Sequence, residues 1–212
     1  MAEQGEARSA SAALELLDWR RRVFALYAEV RQAPTGDVAW ERWCEERRSL
    51  IAGHPQSPLR DPASRAAFPG PFYFAYDPEA RVLAEVEPVE PERRIIEGSA
   101  DGRFEMTRFA EARFQLYGRS HALSLYWIEV YGGGLFLSFR DATSGRETYG
   151  AGRYLLDTVK GADLGSEGER LVLDFNFAYQ PSCSYDPLWV CPLAPPENRL
   201  PVEVRAGERM AV

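Results

Sequence analysis

Between positions 139 and 199 the chain reads FRDATSGRETYGAGRYLLD, then a glycine-containing loop, then LDFNFAYQPSCSYDPLWVCPLAPPENR. Polar side chains able to do chemistry recur there among the aromatics. Asp174 and Asn176 alternate with Leu173, Phe175 and Phe177, so an extended strand sets carboxylate and amide side by side, opposite the apolar face. Such a pair can hold a ligand hydroxyl or position a water. It can equally bond backbone groups of the proline-rich stretch that follows, which has few ladder partners of its own. Glu197, ahead of the last expected strand, supplies a second carboxylate for acid–base work if it faces Asp174. Paired with Arg199 at the surface, it would contribute little.

Arg153 follows Tyr149-Gly150-Ala151-Gly152, where the glycines let backbone approach an anion while the guanidinium forks onto a carboxylate or phosphate. The stretch has no GKS or GKT ending and no helix signal behind it, which excludes a phosphate-binding loop of the P-loop type. The competing reading is a buried Arg153 that pairs with Asp141 or Asp174 and fixes strand register. Cys183 and Cys191 bracket SYDPLWV. A disulfide there is conceivable but unexpected in a reducing compartment, and neither thiol stands at an evident helix N-terminus, so two small buried thiols are the default. Ser57 and His54 lie in HPQSP, without the GxSxG setting of an activated serine. His54 reads instead as a cap on the preceding helix.

Composition narrows the field. The net charge of −7 argues against nucleic acid or an anionic membrane as partner, and the short arginine runs have acidic neighbours. Lys160 is the only lysine and is expected in a loop, VKGA, which leaves little room for Schiff-base chemistry. Two histidines and three cysteines without a CxxC pair give no metal framework, and no cofactor is implied. The start of the chain has no apolar stretch behind a basic end, and no uncharged run approaches a spanning length. A cytoplasmic protein with no membrane partner is expected, and a homodimer is compatible with the sequence. With 45% hydrophobic and 12% aromatic residues in 212, one domain can fill its own core.

The elements that must position these groups change character along the chain. Residues 1–10 read as a disordered tail. Leu16, Trp19, Val23, Leu26, Tyr27 and Val30 recur at helical spacing, and Pro34 with Gly36 end that helix. A second helix is expected from Asp37 as N-cap to Gly53, carrying Trp40, Trp43 and an inert Cys44 inward, and Asp61-Pro62 opens a short turn that closes the helical part (12–68). From 71 to 208 the period becomes two. Strands are expected over 72–76, 81–87, 93–97, 104–116, around 123–127, 135–139, 153–157, 171–177 and 200–206, with Asp101-Gly102 and Gly132-Gly133-Gly134 as turns. About nine antiparallel strands behind two helices predict a mainly β, α+β fold: a barrel or sandwich.

TYGAGRYLLD together with LDFNFAYQPSCSYDPLWVCPLAPPENRLPVEVRAGE resembles the domain of unknown function 1684 family of bacteria and archaea. HPQSPL (54–59) and FRDATSG (139–145) follow the same pattern. The resemblance covers roughly 14–208, with Gln180 as a departure where the family more often has Asn. It implies a soluble, β-rich, single-domain protein and carries no activity.

The expectation is therefore a small-molecule site lined by Trp127, Tyr149, Tyr154, Tyr179 and Trp189, in which Arg153, Asp174 and Asn176 orient a small polar or anionic ligand. The alternative is a cofactor-independent hydrolase or isomerase using Asp174 and Glu197. A third reading is a structural or interaction module whose polar cluster is only scaffolding.

Overall fold

The computed structural model of the chain describes residues 9–129 and 131–211. The tail expected over 1–10 lies outside the described residues except for Ser9 and Ala10, which already belong to a helix. The Ser9 hydroxyl oxygen accepts from the Ala12 N–H at 3.2 Å and caps α1 (Ala10–Gln32). Pro34 prevents its continuation. α2 (Gly36–Gly53) starts from Thr35 rather than Asp37; Asp37 sits in the first turn, where its negative charge suits the helix dipole. α3 (Pro62–Ala67) has Asp61 as cap and proline in the first turn, as its sequence requires.

Among the described residues the β region has nine strands. They are β1 (Phe72–Tyr73), β2 (Arg81–Glu97), β3 (Arg103–Leu116), β4 (Arg119–Ile128), β5 (Leu135–Phe139), β6 (Arg153–Asp157), β7 (Ser166–Glu167), β8 (Arg170–Asp174) and β9 (Glu208–Arg209). Seven form one antiparallel sheet in the order β6-β5-β4-β3-β2-β8-β7, and β1 pairs with β9. No closed barrel forms; the arrangement is sandwich-like. The strand β2 makes the turn between its two parts, pairing with β8 over 81–84 and with β3 from Glu85 onward. At the far edge, Tyr154 of β6 exchanges backbone bonds of 2.8 and 2.9 Å with Tyr179, just beyond β8, so the sheet curls back on itself.

Five expected strands differ from those observed, the one over 72–76 by ending at Tyr73. Residues 81–87 and 93–97 belong to one strand, because the two prolines between them fall in an irregularity of register that needs no ladder N–H from them. The strand expected over 171–177 stops at Asp174, whose carboxylate accepts from the Asn176 N–H at 3.0 Å and winds Phe175–Phe177 into a 3-10 turn. Residues 200–206 form no strand: they lie beside the segment just past β5, held by Leu200 N–H to Arg140 C=O and Ala142 N–H to Val202 C=O.

Tyr27 and Trp43 bring the helices onto the sheet, where they join Phe114, Leu125, Phe139 and Phe177 in the main core. A second apolar cluster gathers Met106, Tyr126, Phe136, Tyr154 and both Cys183 and Cys191. In β3 the register with β4 shifts between Arg108 and Ala110.

Candidate functional site

Arg153, Asp141, Asp174 and Asn176 are all buried, and most of their bonds are spent on the chain itself. Arg153 donates through Nη1 to the carbonyls of Ala206 and Glu208, the latter at 3.2 Å, and through Nη2 to that of Val204 at 2.9 Å. Asp141 lies 3.6 Å from Nη2 and accepts from the Val204 N–H at 2.7 Å. The paired, register-fixing reading of Arg153 is the one its geometry follows, and burial pulls its pKa below the ordinary guanidinium value despite Asp141. Only Nε lacks an acceptor, and it is sealed in the interior, so no fork remains for an external anion. Asn198 likewise enters between β4 and β5, accepting from the Ser124 N–H and donating to the carbonyls of Ser124 and Ser138. Glu208 meets Arg47 in a buried ion pair and accepts from the Tyr185 hydroxyl.

The expected aromatic pocket is not assembled. Trp127 is 42% exposed and covers Gly133, where any Cβ would strike its indole. Tyr149 and Trp189 pack into the second apolar cluster, the first near Cys183 and the second donating to the Pro58 carbonyl at 2.7 Å. Tyr154 and Tyr179 line a cavity of only about 90 Å³, and the Arg47 guanidinium stacks 4.6 Å from the Tyr179 ring centre. Side chains of this size fill the space a ligand would need. Glu197 accepts from the Tyr126 hydroxyl in a groove beside Arg94 and Arg108, whereas Asp174 lies across from Arg81. The two carboxylates line different grooves that share no residue, so they do not form one acid–base pair. His54 and Ser57 do not meet either: the serine donates to the Ile51 carbonyl at 2.6 Å, and the histidine lies 3.2 Å from Asp18. All three cysteines are free. Cys183 and Cys191 lie within hydrogen-bonding reach, which lowers the pKa of Cys183 and raises that of Cys191.

Asp174 differs from these. Its Oδ1 accepts from the Asn176 N–H and from Asn176 Nδ2 at 2.9 Å. Asn176 is fixed in turn by the Asp77 backbone, accepting from the N–H at 2.9 Å and donating to the carbonyl at 2.7 Å. Asn176 thus positions the carboxylate and anchors the turn ahead of β2, rather than the tail as expected. Oδ2 takes no hydrogen bond among the described residues; its nearest cation is Arg81 Nε at 4.0 Å. Burial raises the Asp174 pKa, with the Asn176 bonds and Arg81 acting the other way.

This carboxylate lines a cleft of about 370 Å³, closed on one side by the α1–α2 linker with Thr35 and on the other by Arg81, Glu167 and Phe177. Linker and strand ends approach closely because α2 opens with glycine. A Cβ on Gly36 would lie 2.0 Å from the Tyr76 hydroxyl oxygen. Burial, then the Asp174 charge, raises the Tyr76 pKa. Arg81 is already held by Glu167 at 2.6 Å, and Arg31 donates to the Asp163 carbonyl at 2.6 Å. Arg81 and Glu167 were not singled out in the sequence. Only the β2–β8 register sets Arg81 opposite Asp174, and register between distant strands has no local signal. Among the described residues no three His, Cys, Asp or Glu side chains converge as a metal site, and no helix is long and apolar enough to cross a membrane.

No curated protein matches the chain. A solved structure does: the solution NMR structure of the uncharacterized protein from gene locus rrnAC0354 of Haloarcula marismortui. It is 34% identical with a TM-score of 0.57, and the match covers 82% of this chain and 93% of that one. The family model described as a protein of unknown function, DUF1684, matches residues 66–209, from α3 through the tail to β9. The chain belongs to the DUF1684 family.

Proposed function

We infer that the chain binds a small polar ligand in the cleft between the α1–α2 linker and the β2–β8 pair, with Asp174 as its principal contact. One observation carries the reading: a carboxylate 2% exposed whose second oxygen has no donor, at the wall of a cleft. The oxygen without a protein donor belongs to a side chain that lines the cleft, where a ligand hydroxyl or amine can donate to it in place of water. The charges around it are balanced, Arg31 and Arg81 against Glu167 and Asp174. That balance favours a neutral or zwitterionic ligand over a strongly anionic one. Asn176 acts as a positioning residue, and Arg153, Tyr149, Tyr179 and Trp189 support the fold around the site.

A second reading makes Asp174 a general acid or base on its own, since a carboxyl with a raised pKa is better matched to proton transfer near neutrality. It needs no partner from Glu197.

The test is a thermal-shift panel of small sugars, polyols and amino acids on the parent and on Asp174→Asn, with native mass spectrometry of the purified parent. At least one compound class is expected to stabilise the parent and to lose most of that effect in the variant. Equal stabilisation of both proteins, or none of the parent by any class, would remove the cleft as a site.

A further inference from the structure

A second groove has the opposite balance of charge and apolar surface. It holds about 420 Å³ between the end of β2 and the segment 193–196; Ile95, Ile96, Leu193 and Pro195 supply apolar lining, and Arg140 and Arg199 are among its other residues. The two arginines are paired residues of a parallel bridge, fixed by the Arg140 N–H to the Asn198 carbonyl and the Leu200 N–H to the Arg140 carbonyl, each at 2.8 Å. A parallel bridge directs both side chains to the same side, so two guanidinium stems leave the backbone together.

The acidic neighbours that would ordinarily neutralise such a pair are engaged elsewhere. Asp141 is occupied by Thr143, Arg153 and the Val204 N–H. Glu197 accepts from Tyr126, and Glu203 meets Arg146 and Arg205. Glu97, on the rim, lies 3.9 Å from Arg103. Among the described residues neither Arg140 nor Arg199 has a carboxylate within 4.0 Å, and Arg140 Nε is buried without an acceptor. In a chain of net charge −7, two adjacent cations left in this state are conspicuous. Like charges brought together repel, and an anion between them converts that repulsion into charge-assisted hydrogen bonds. The stem of Arg140 is seated by Gly152, where a Cβ would lie 2.8 Å from Ala194 Cβ and 3.3 Å from Arg140 Cγ; any side chain there would close the cradle.

We propose that this groove is a binding site for an amphipathic monocarboxylate, with the carboxylate between Arg140 and Arg199 and a short acyl chain over Ile95, Leu193 and Pro195. The volume falls within the range of small-ligand pockets, and the division into one charged end and an apolar length matches such a molecule. The site is separate from the Asp174 cleft and shares none of its lining residues.

The test uses the full chain and sodium octanoate below its micellar range, with acetate and octanol as arms that lack the tail or the charge. Amide resonances of Ile95, Ile96 and Leu193 are expected to move saturably with octanoate. Acetate and octanol should bind at least about tenfold more weakly, a difference of roughly 1.4 kcal/mol. Arg199→Gln, at an exposed position, should weaken octanoate at least about tenfold, and Arg140→Ala should do the same. Asp174→Asn should leave octanoate binding unchanged, which separates this site from the cleft. Saturable binding of equal strength in Arg199→Gln, octanol binding as well as octanoate, or shifts centred elsewhere would overturn the proposal. Should Arg140→Ala fail to fold, Arg199→Gln and the octanol arm still decide it.

Discussion

Arg153 and Asp174 are almost equally buried, at 1% and 2% exposure, yet the chain treats them differently. Around Arg153 the partners are internal: three tail carbonyls, Asp141, and through Asp141 the Val204 N–H, with only Nε left bare in the interior. Around Asp174 they run out. Asn176 saturates one oxygen, and the other faces a cleft with only a distant cation. Burying a charge is tolerable when its bonds are met within the fold, and such a group then holds segments together. A buried charge with an unmet bond at a cavity wall costs stability and persists only if something else depends on it. Burial and residue type alone therefore do not separate a latch from a site; what differs is that the free atom of Arg153, Nε, is sealed in the interior, while Asp174 lines an open cleft.

If that distinction is right, substitutions at the two regions should move stability in opposite directions. The largest effect is expected for Arg153→Met. It fills similar volume but leaves three carbonyls without donors and Asp141 without its cation, a loss of about 5 kcal/mol and a fall in Tm of about 15 °C. Differential scanning calorimetry gives the size, and limited proteolysis should show earlier cleavage within 200–209. A drop of only a degree or two would mean that the tail is held by its apolar residues and that the guanidinium is incidental.

Asn198→Ala should come next. The side chain replaces ladder bonds where β4 and β5 diverge, and its loss strands the Ser124 N–H and two carbonyls in a dry interior, at about 3 kcal/mol. Urea unfolding with an unchanged m-value would assign the loss to the native state.

Much of this latch was unreadable before the strands were in register. The period-two pattern carries the β class and most strand positions, helical spacing carries the two long helices, and Asp141 as a partner for Arg153 is visible as one option. What the pattern lacks is which strand lies beside which. Arg81 looks like an ordinary strand start until β8 is beside it, and Glu208 looks like a polar terminus until Arg47 is over it. The alternation of Asp174 and Asn176 suggested neighbouring side chains on one strand. They are neighbours, but through a 3-10 turn that Asp174 itself caps, because a short acceptor two residues ahead of an N–H competes with the ladder. The aromatic pocket failed for a simpler reason: large side chains in sequence proximity to polar ones fill interior space as readily as they surround it.

Asp174→Asn is expected to reverse the sign. The folded chain raises this carboxyl above its ordinary value through burial, so the folded state holds the proton more tightly than the unfolded one. The contribution of Asp174 favours folding fully below the unfolded carboxylate value. It is lost as pH rises through the raised one, and at neutral pH the charged group is a net cost. Asparagine keeps an oxygen for the Asn176 bonds and removes the charge. At pH 7 the variant should be more stable than the parent by up to about 1 kcal/mol, and the advantage should shrink toward pH 4. Thermal melts across that interval test it. A variant less stable than the parent at pH 7 would mean that Asp174 is bonded as fully as Arg153, and the contrast between the two regions would collapse.

The smallest effect belongs to Arg113, which meets Glu87 and Glu111 on the outer face of β2 and β3. On contacts alone it resembles Arg153, with one guanidinium serving more than one acceptor. Its environment is what differs. Arg113 is half exposed, water solvates all three groups when the pairs part, and holding long side chains in place offsets most of the attraction. Arg113→Ala should leave Tm unchanged within error in physiological salt and lower it only slightly at low ionic strength, where screening is weaker. A loss approaching that of Arg153→Met would show that partner number matters more than burial, and would force the unmet oxygen of Asp174 to be judged by the same rule.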